Sequence, residues 1–117
     1  MRALRAALVS ISPLLTDLIR HALMDRVPIA VVAELADGRE LEWMPGMIDV
    51  IILGSPVLLA VARASANAEI LVLSDDLREL HWPAASLSVP LSAENLAGTL
   101  RRIAEDLDLR SQSNPDP

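Results

Sequence analysis

The side chains with the clearest capacity for chemistry are an adjacent pair of carboxylates, Asp75 and Asp76, and the two histidines, His21 and His81. Two carboxylates at the end of a strand could bind a cation such as Mg²⁺, which prefers hard oxygen ligands. The same pair also suits the N-terminus of a helix, where negative charge is favourable, and we favour this structural role. A histidine acts as a general base only beside a positioned partner and a substrate. We therefore expect both histidines to lie at the surface or at its boundary.

The turn Gly54-Ser55-Pro56 is a second candidate site. Its backbone N–H groups stand at a predicted helix start, where an anion could bind. A tight turn followed by a helix cap explains the same three residues, and we favour it. The chain has no cysteine, which excludes disulfides, thiolate metal sites and cysteine nucleophiles. Because no nucleophile–base pair or cluster of metal ligands is visible, the sequence predicts no enzyme activity, no metal and no cofactor.

Length and composition indicate one folded domain. A chain of 117 residues is long enough for one compact domain and too short for two. Apolar residues make up 52% of the chain, which argues against disorder over most of it. We predict a single domain over residues 1–109 and a disordered polar tail over residues 110–117.

The charge and hydropathy of the chain limit its partners. A formal net charge of −6 argues against direct nucleic-acid binding, which needs a basic surface. No segment is long and apolar enough to span a bilayer, and the apolar stretch near the start is too short for a signal peptide. The sequence therefore predicts a soluble, cytoplasmic protein with no membrane partner.

Short apolar runs alternate along the chain with segments of helical periodicity. Ser12-Pro13 places an N-cap residue before a proline at the first helical position, and Ser55-Pro56 repeats this signal. Ser92 is the predicted cap of the last helix. The predicted strands cover residues 6–10, 29–33, 49–53, 70–73 and 86–89. The predicted helices cover residues 13–26, 39–44, 57–66, 75–80 and 93–107, of which 39–44 and 75–80 are short.

This alternation predicts an α/β domain with a flavodoxin-like, doubly wound, five-stranded parallel sheet in the order 2-1-3-4-5. Its second and fourth helices are expected to be shortened. Ligands of such sheets bind at the carboxyl ends of the strands. The residues of interest therefore lie at 10–12, 34–37, 54–56, 74–76 and 89–90.

The order and spacing of these segments resemble the receiver domains of bacterial response regulators, especially receivers fused to helix-turn-helix output domains. The similarity covers about residues 5–107. The segments that match are 12–15 at the first helix, 31–38 at the second strand and its turn, 49–53 at the third strand, 71–74 at the fourth strand, Pro90, and 91–103 at the final helix. The resemblance implies a receiver-like fold and a role in signalling.

The same resemblance implies that the phosphorylation chemistry is lost. The two acidic positions that hold magnesium in receivers are Ser10 and Ile11 here, the phospho-acceptor aspartate is Gly54, and the lysine after the fifth strand is Val89. Only the switch hydroxyl after the fourth strand is retained, as Ser74. Phosphoryl transfer depends on metal and cation stabilisation of the charged oxygens. The matched positions therefore predict a receiver-like domain that is not phosphorylated.

Apolar residues predict a protein-interaction surface, which would carry the function in the absence of phosphorylation. The helix predicted over residues 57–66 is apolar almost all round, which either a partner or deeper packing against shortened neighbours would explain. Trp82 could anchor an interface or complete the end of a core. We predict a homodimer or a complex with another protein, with Val57, Leu58, Val61 and Trp82 at the interface. Leu96, Leu100 and Ile103 of the last helix are expected to pack on the sheet instead.

The sequence thus predicts a phosphorylation-independent, receiver-like protein-interaction module in bacterial signalling or transcriptional regulation. The alternative is a sensor that binds a small molecule or an anion at the carboxyl ends of the strands. An enzyme is the least favoured of the three classes.

Overall fold

A computed structural model describes residues 4–23, 26–27, 29–35, 48–55, 68–74 and 76–113 of the chain. Over these residues, six strands form one mixed sheet in the order β2-β1-β3-β4-β5-β6, accompanied by two α-helices. The elements are β1 Leu4–Val9, α1 Pro13–Leu23, β2 Ile29–Leu35, β3 Val50–Leu53, β4 Glu69–Leu73, β5 Glu79–Trp82, a 3₁₀ helix Pro83–Ala85, β6 Leu87–Pro90 and α2 Ala93–Ser113. The predicted helices at 39–44 and 57–66 lie outside the described residues.

The first four strands follow the predicted order. β1 pairs in parallel with β2 and β3, and β3 pairs in parallel with β4. The predicted start of α1 is also confirmed, since the backbone N–H of Leu15 donates to the Ser12 hydroxyl at 3.2 Å and Pro13 occupies the first helical position. Ser92 caps α2 in the same way by accepting the N–H of Asn95 at 3.0 Å. Local capping signals therefore place both helices after the carboxyl ends of strands.

The last two strands differ from the prediction of an all-parallel sheet. β5 pairs antiparallel with β4, and β6 pairs antiparallel with β5. The helical turns predicted over residues 75–80 are wrong for Glu79 and Leu80, which begin β5. In β5 the side chains of Leu80 and Trp82 are buried while those of Glu79 and His81 are more exposed. This period of two is the pattern of a half-buried strand, and it accounts for the element. The predicted fifth strand exists as β6, one place further along the sheet.

The core lies on both faces of the sheet. Leu4, Ala6 and Leu8 of β1 belong to the larger cluster, which also contains the buried residues of α1 and α2. Alternate residues such as Ala7 and Val9 are fully buried on the other face. The helix residues predicted to pack on the sheet are confirmed as core residues, with relative exposures of 3%, 0% and 0% for Leu96, Leu100 and Ile103.

Two properties of the helices differ in what they say about the prediction: where α2 ends, and whether either helix could cross a membrane. The helix continues to Ser113, beyond position 110, at which the disordered tail was predicted to begin. Within the described ranges, neither helix combines the length and the apolar composition needed to cross a lipid bilayer.

Candidate functional site

The carboxyl ends of β1 and β3 meet in a close backbone contact between Ser10 and Gly54. The N–H of Gly54 donates to the Val9 carbonyl at 2.9 Å, and the N–H of Ser10 donates to the Leu35 carbonyl of β2 at 2.8 Å. Ser10 turns the chain toward α1 with a φ of 57°, in the left-handed region. Ser10 is therefore hydrogen-bonded to β2 and held against the end of β3.

Only a residue without a Cβ atom fits at position 54. A Cβ atom built on Gly54 would collide with the carbonyl oxygen of Ser10 and would lie 2.9 Å from its carbonyl carbon. It would also lie 3.3 Å from Cγ1 of Ile11, which is closer than most carbon–carbon contacts. The obstructing atoms at Ser10 belong to the backbone and cannot move aside as a flexible side chain would. The fold therefore leaves no room for an acceptor side chain at position 54.

The structure brings the predicted positions Ser10, Ile11 and Gly54 together but gives them no phosphorylation chemistry. Ser10 is exposed, Ile11 and Gly54 are half-buried, and none of the three carries a charge. Among the described residues, no group of three or more His, Cys, Asp or Glu side chains lies close enough to hold a metal ion.

Ser74 lies at the neighbouring strand end and closes the β4–β5 hairpin. Its hydroxyl donates to Oδ1 of Asp76 at 2.6 Å and accepts the backbone N–H groups of Arg78 at 3.1 Å and Glu79 at 2.9 Å. The N–H of Ser74 donates to the Glu79 carbonyl at 3.0 Å, and the N–H of Leu77 donates to the Ser74 carbonyl at 2.9 Å. The hydroxyl predicted to be a switch is thus part of a tight turn.

The electrostatics of this turn involve one exposed carboxylate. The hydrogen bond from the Ser74 hydroxyl, followed by that from the Arg78 N–H, lowers the pKa of Asp76 below its ordinary value. Both bonds favour the charged form of Asp76. Asp75 lies outside the described residues, so the proposed acidic pair is seen only through Asp76, whose described contacts stabilise the turn.

Val89 is separated from the other predicted positions. It lies in β6, half-buried, where it packs against the larger core cluster and is paired with Leu80. Three strand spacings separate β6 from β3, which corresponds to about 14 Å across the sheet. The predicted order put this position two strand spacings from β3. Because β5 lies between β4 and β6, it is one spacing further from Gly54.

Trp82 is the one interface candidate within the described residues, and it is 3% exposed. Its Nε1–H donates to Oε2 of Glu69 at 3.0 Å, and the guanidinium carbon of Arg102 lies 5.5 Å from the ring centroid. These contacts correspond to the alternative in which Trp82 completes the core, and its burial leaves little surface for a partner. Val57, Leu58 and Val61 lie outside the described residues.

A cavity that the sequence did not predict opens beside the carboxyl end of β4. It has a volume of about 230 Å³. Its lining is almost entirely apolar and consists of Leu15, Leu18, Ile19, Leu73, Leu91, Ser92, Ala93 and Leu96. Leu18 is 57% exposed at its rim, and Leu14, one helical turn earlier, is 73% exposed. Leu14, Leu15, Leu18 and Ile19 make α1 apolar over a wider arc than one buried stripe, and this is the sequence signal that could have indicated the surface.

Asp49 was also missed as a structural residue. It precedes β3 at the amino ends of the strands, on the opposite edge from the cavity. Its Oδ2 accepts the backbone N–H of Arg5 at 2.9 Å and the Nε–H of the same residue at 3.4 Å, and its own N–H donates to the Arg5 carbonyl at 2.7 Å. The carboxylate is largely buried, so these contacts fasten β1 to the start of β3.

Comparison of the chain with models of protein families, with curated proteins and with solved structures finds no match.

Proposed function

We propose that this protein is a receiver-like domain that acts without phosphorylation, as a cytoplasmic protein-interaction module in bacterial signalling or transcriptional regulation. Its sheet would be a variant of the flavodoxin-like order in which an antiparallel strand, β5, is inserted before the last strand. The close contact of Ser10 with Gly54 is the main support. A position that admits no Cβ atom cannot present a carboxylate to a phosphoryl donor.

The hairpin at Ser74 supports the same proposal. In receivers the hydroxyl at this position is the switch that responds to phosphorylation. Here the Ser74 hydroxyl makes three hydrogen bonds within its own turn, and any rotation toward the end of β3 would lose them. A signal from such a domain would depend on its presence, its concentration or its binding to a partner.

The phosphorylation test uses magnesium and acetyl phosphate. Incubation of the protein with both should leave the intact mass unchanged, while a receiver that retains its acceptor aspartate gains a phosphoryl group in the same reaction. The variant Gly54→Asp should also stay unmodified, since the metal ligands and the lysine are still missing; its circular-dichroism spectrum is checked first, because a Cβ atom at this position meets the backbone of Ser10. A phosphoryl adduct on the wild-type chain would contradict the proposal.

The interaction test uses the apolar helix that the sequence predicts over residues 57–66. Leu58→Glu and Val61→Glu are expected to weaken a homodimer or hetero-complex, measured by light scattering and by capture of a partner from the native host. Their circular-dichroism spectra should stay those of a folded protein. A wild-type chain that is monomeric at high concentration and captures no host protein would contradict this role.

The apolar cavity favours a second candidate function, the sensing of a small molecule. It lies where β4 ends and α2 begins, at the edge where ligands of α/β sheets bind. A receiver-like fold without phosphorylation chemistry could respond to such a ligand instead. Thermal-shift screening of small molecules would test this function separately from the phosphorylation test.

A further inference from the structure

The apolar cavity is one part of a groove that follows α2, with α1 and the segment after it on the other side. Its lining residues Ser92 and Ala93 also line a second, more open cavity of about 650 Å³. The two cavities therefore adjoin at the first turn of α2. A molecule seated in the first cavity can therefore extend along Ser92 and Ala93 toward the second.

The second cavity has the opposite chemistry. Its other lining residues are Arg26, Glu94, Ala97 and Arg101, so two guanidinium groups and one carboxylate face it. The Nε–H of Arg101 donates to the Arg26 carbonyl at 3.2 Å, which connects the turn after α1 to α2. Neither arginine forms an ion pair with a residue in the described ranges, and both are exposed. This end of the groove is locally basic in a chain whose net charge is −6.

We infer that the groove binds a small amphipathic anion, an apolar group that carries a carboxylate or a phosphate. The inference deepens the ligand-sensing candidate above and does not depend on the absence of phosphorylation. The apolar end fixes the size of the ligand, because cavities of about 150 Å³ accept benzene and this one is 230 Å³. One aromatic ring or a short acyl chain therefore fits. The basic end fixes the sign of the charge.

A free molecule suits this groove better than a membrane surface. The net charge of −6 would repel an anionic bilayer, while two arginines in a groove can still attract a single small anion. The apolar part of the ligand would leave water against Leu15, Leu18 and Leu96, which supplies the favourable term.

The first experiment compares decanoate with decanol by isothermal titration calorimetry, at concentrations below micelle formation. The two probes share an acyl chain and differ in charge. Decanoate should bind the full-length protein about two- to fivefold more tightly, the range for exposed ion pairs. Equal affinities for decanoate and decanol would overturn the inference.

Two adjacent arginines provide a matched pair of variants. Arg101→Ala should remove the preference for decanoate, because Arg101 lines the groove. Arg102→Ala makes the same change in net charge but should keep the preference, because Arg102 lies over Trp82 instead. Glu94→Gln should strengthen decanoate binding. If loss of the Arg101 hydrogen bond unfolds the chain, Arg26→Gln gives the same test. It removes the other guanidinium group of the cavity, keeps the Arg26 carbonyl, and should also reduce the preference for decanoate. Equal effects of Arg101→Ala and Arg102→Ala would show a nonspecific charge effect and would refute the assignment.

Two exposed leucines provide the second pair. Leu18→Glu should abolish binding of both probes, whereas Leu14→Glu should leave it within about twofold, since only Leu18 lines the cavity. Nuclear magnetic resonance shifts on addition of decanoate should fall on α1 and α2. Light scattering that shows a dimer dissociated by Leu18→Glu would instead assign the groove to a second copy of the chain. Sedimentation with phosphatidylglycerol vesicles would assign it to a membrane.

Discussion

Replacing Gly54 with alanine should destabilise the protein by about 3 kcal/mol. Overpacking commonly costs about 1–3 kcal/mol, and the upper end applies because the new methyl group would strike the backbone of Ser10. Moving Ser10 away would also weaken its hydrogen bond to the Leu35 carbonyl, which is worth about 1 kcal/mol. Alanine restricts the unfolded chain and returns about 0.4–1 kcal/mol. A loss of this size lowers Tm by roughly 10–20 °C in a domain of this length.

The measurement is urea denaturation followed by far-ultraviolet circular dichroism, with the slope of the transition compared between variants. Gly98→Ala is the matched control. A Cβ atom at Gly98 meets nothing within 4 Å, and the residue lies inside α2. That substitution should stabilise the protein by about 0.5–1 kcal/mol, because glycine is a poor helix former. If Gly54→Ala were neutral or stabilising, the close contact between β1 and β3 would not exist and the main support for the proposed function would be lost.

Three further predictions concern β4 and β5. Ser74→Ala should cost about 1 kcal/mol, because the N–H of Glu79 loses its side-chain acceptor and that of Arg78 keeps only Asp76; unchanged stability in urea would show that the turn does not need the hydroxyl. The lowered pKa of Asp76 means that its contribution to stability is complete above the unfolded-state pKa of about 3.9 and is lost as the pH falls through the folded-state pKa. The difference between wild type and Asp76→Asn in urea midpoint should therefore shrink from pH 7 to pH 3, and a constant difference would refute this assignment. Trp82→Phe should cost about 1–2 kcal/mol through the lost hydrogen bond to Glu69, and a neutral result in the same assay would show that this bond does not stabilise the fold.

Local signals in the sequence predicted much of the fold. Ser12-Pro13 marked the start of α1, and Ser92 marked the start of α2, because capping depends on neighbouring residues only. The apolar run of β3 predicted a strand buried on both faces, and Val50 to Leu53 are all fully buried. The parallel order of the first four strands followed from the alternation of strands and helices.

The missed features depend on competition between patterns or on contacts distant in sequence. Asp76 favoured the prediction of a helix start. That prediction conflicted with the period of two in residues 79–82, which form β5. The obstruction at Gly54 comes from a backbone oxygen 44 positions earlier, and no local pattern encodes that distance. Leu18 has the helical spacing of a core residue, yet it is 57% exposed and lines the cavity beside α2.

The antiparallel strand also affects the order in which the chain can fold. Residues 74–78 join β4 to β5 and residues 83–86 join β5 to β6, so these strands pair after short loop closures. Residues 10–49 must be enclosed before β1 can pair with β3. Since the entropic cost of loop closure grows with loop length, the meander of β4, β5 and β6 is expected to form first and to recruit β3 and β1 afterwards. Until β3 pairs with it, the edge of β4 is an open hydrogen-bonding ladder, and we expect the refolding chain to be most prone to aggregation at that stage.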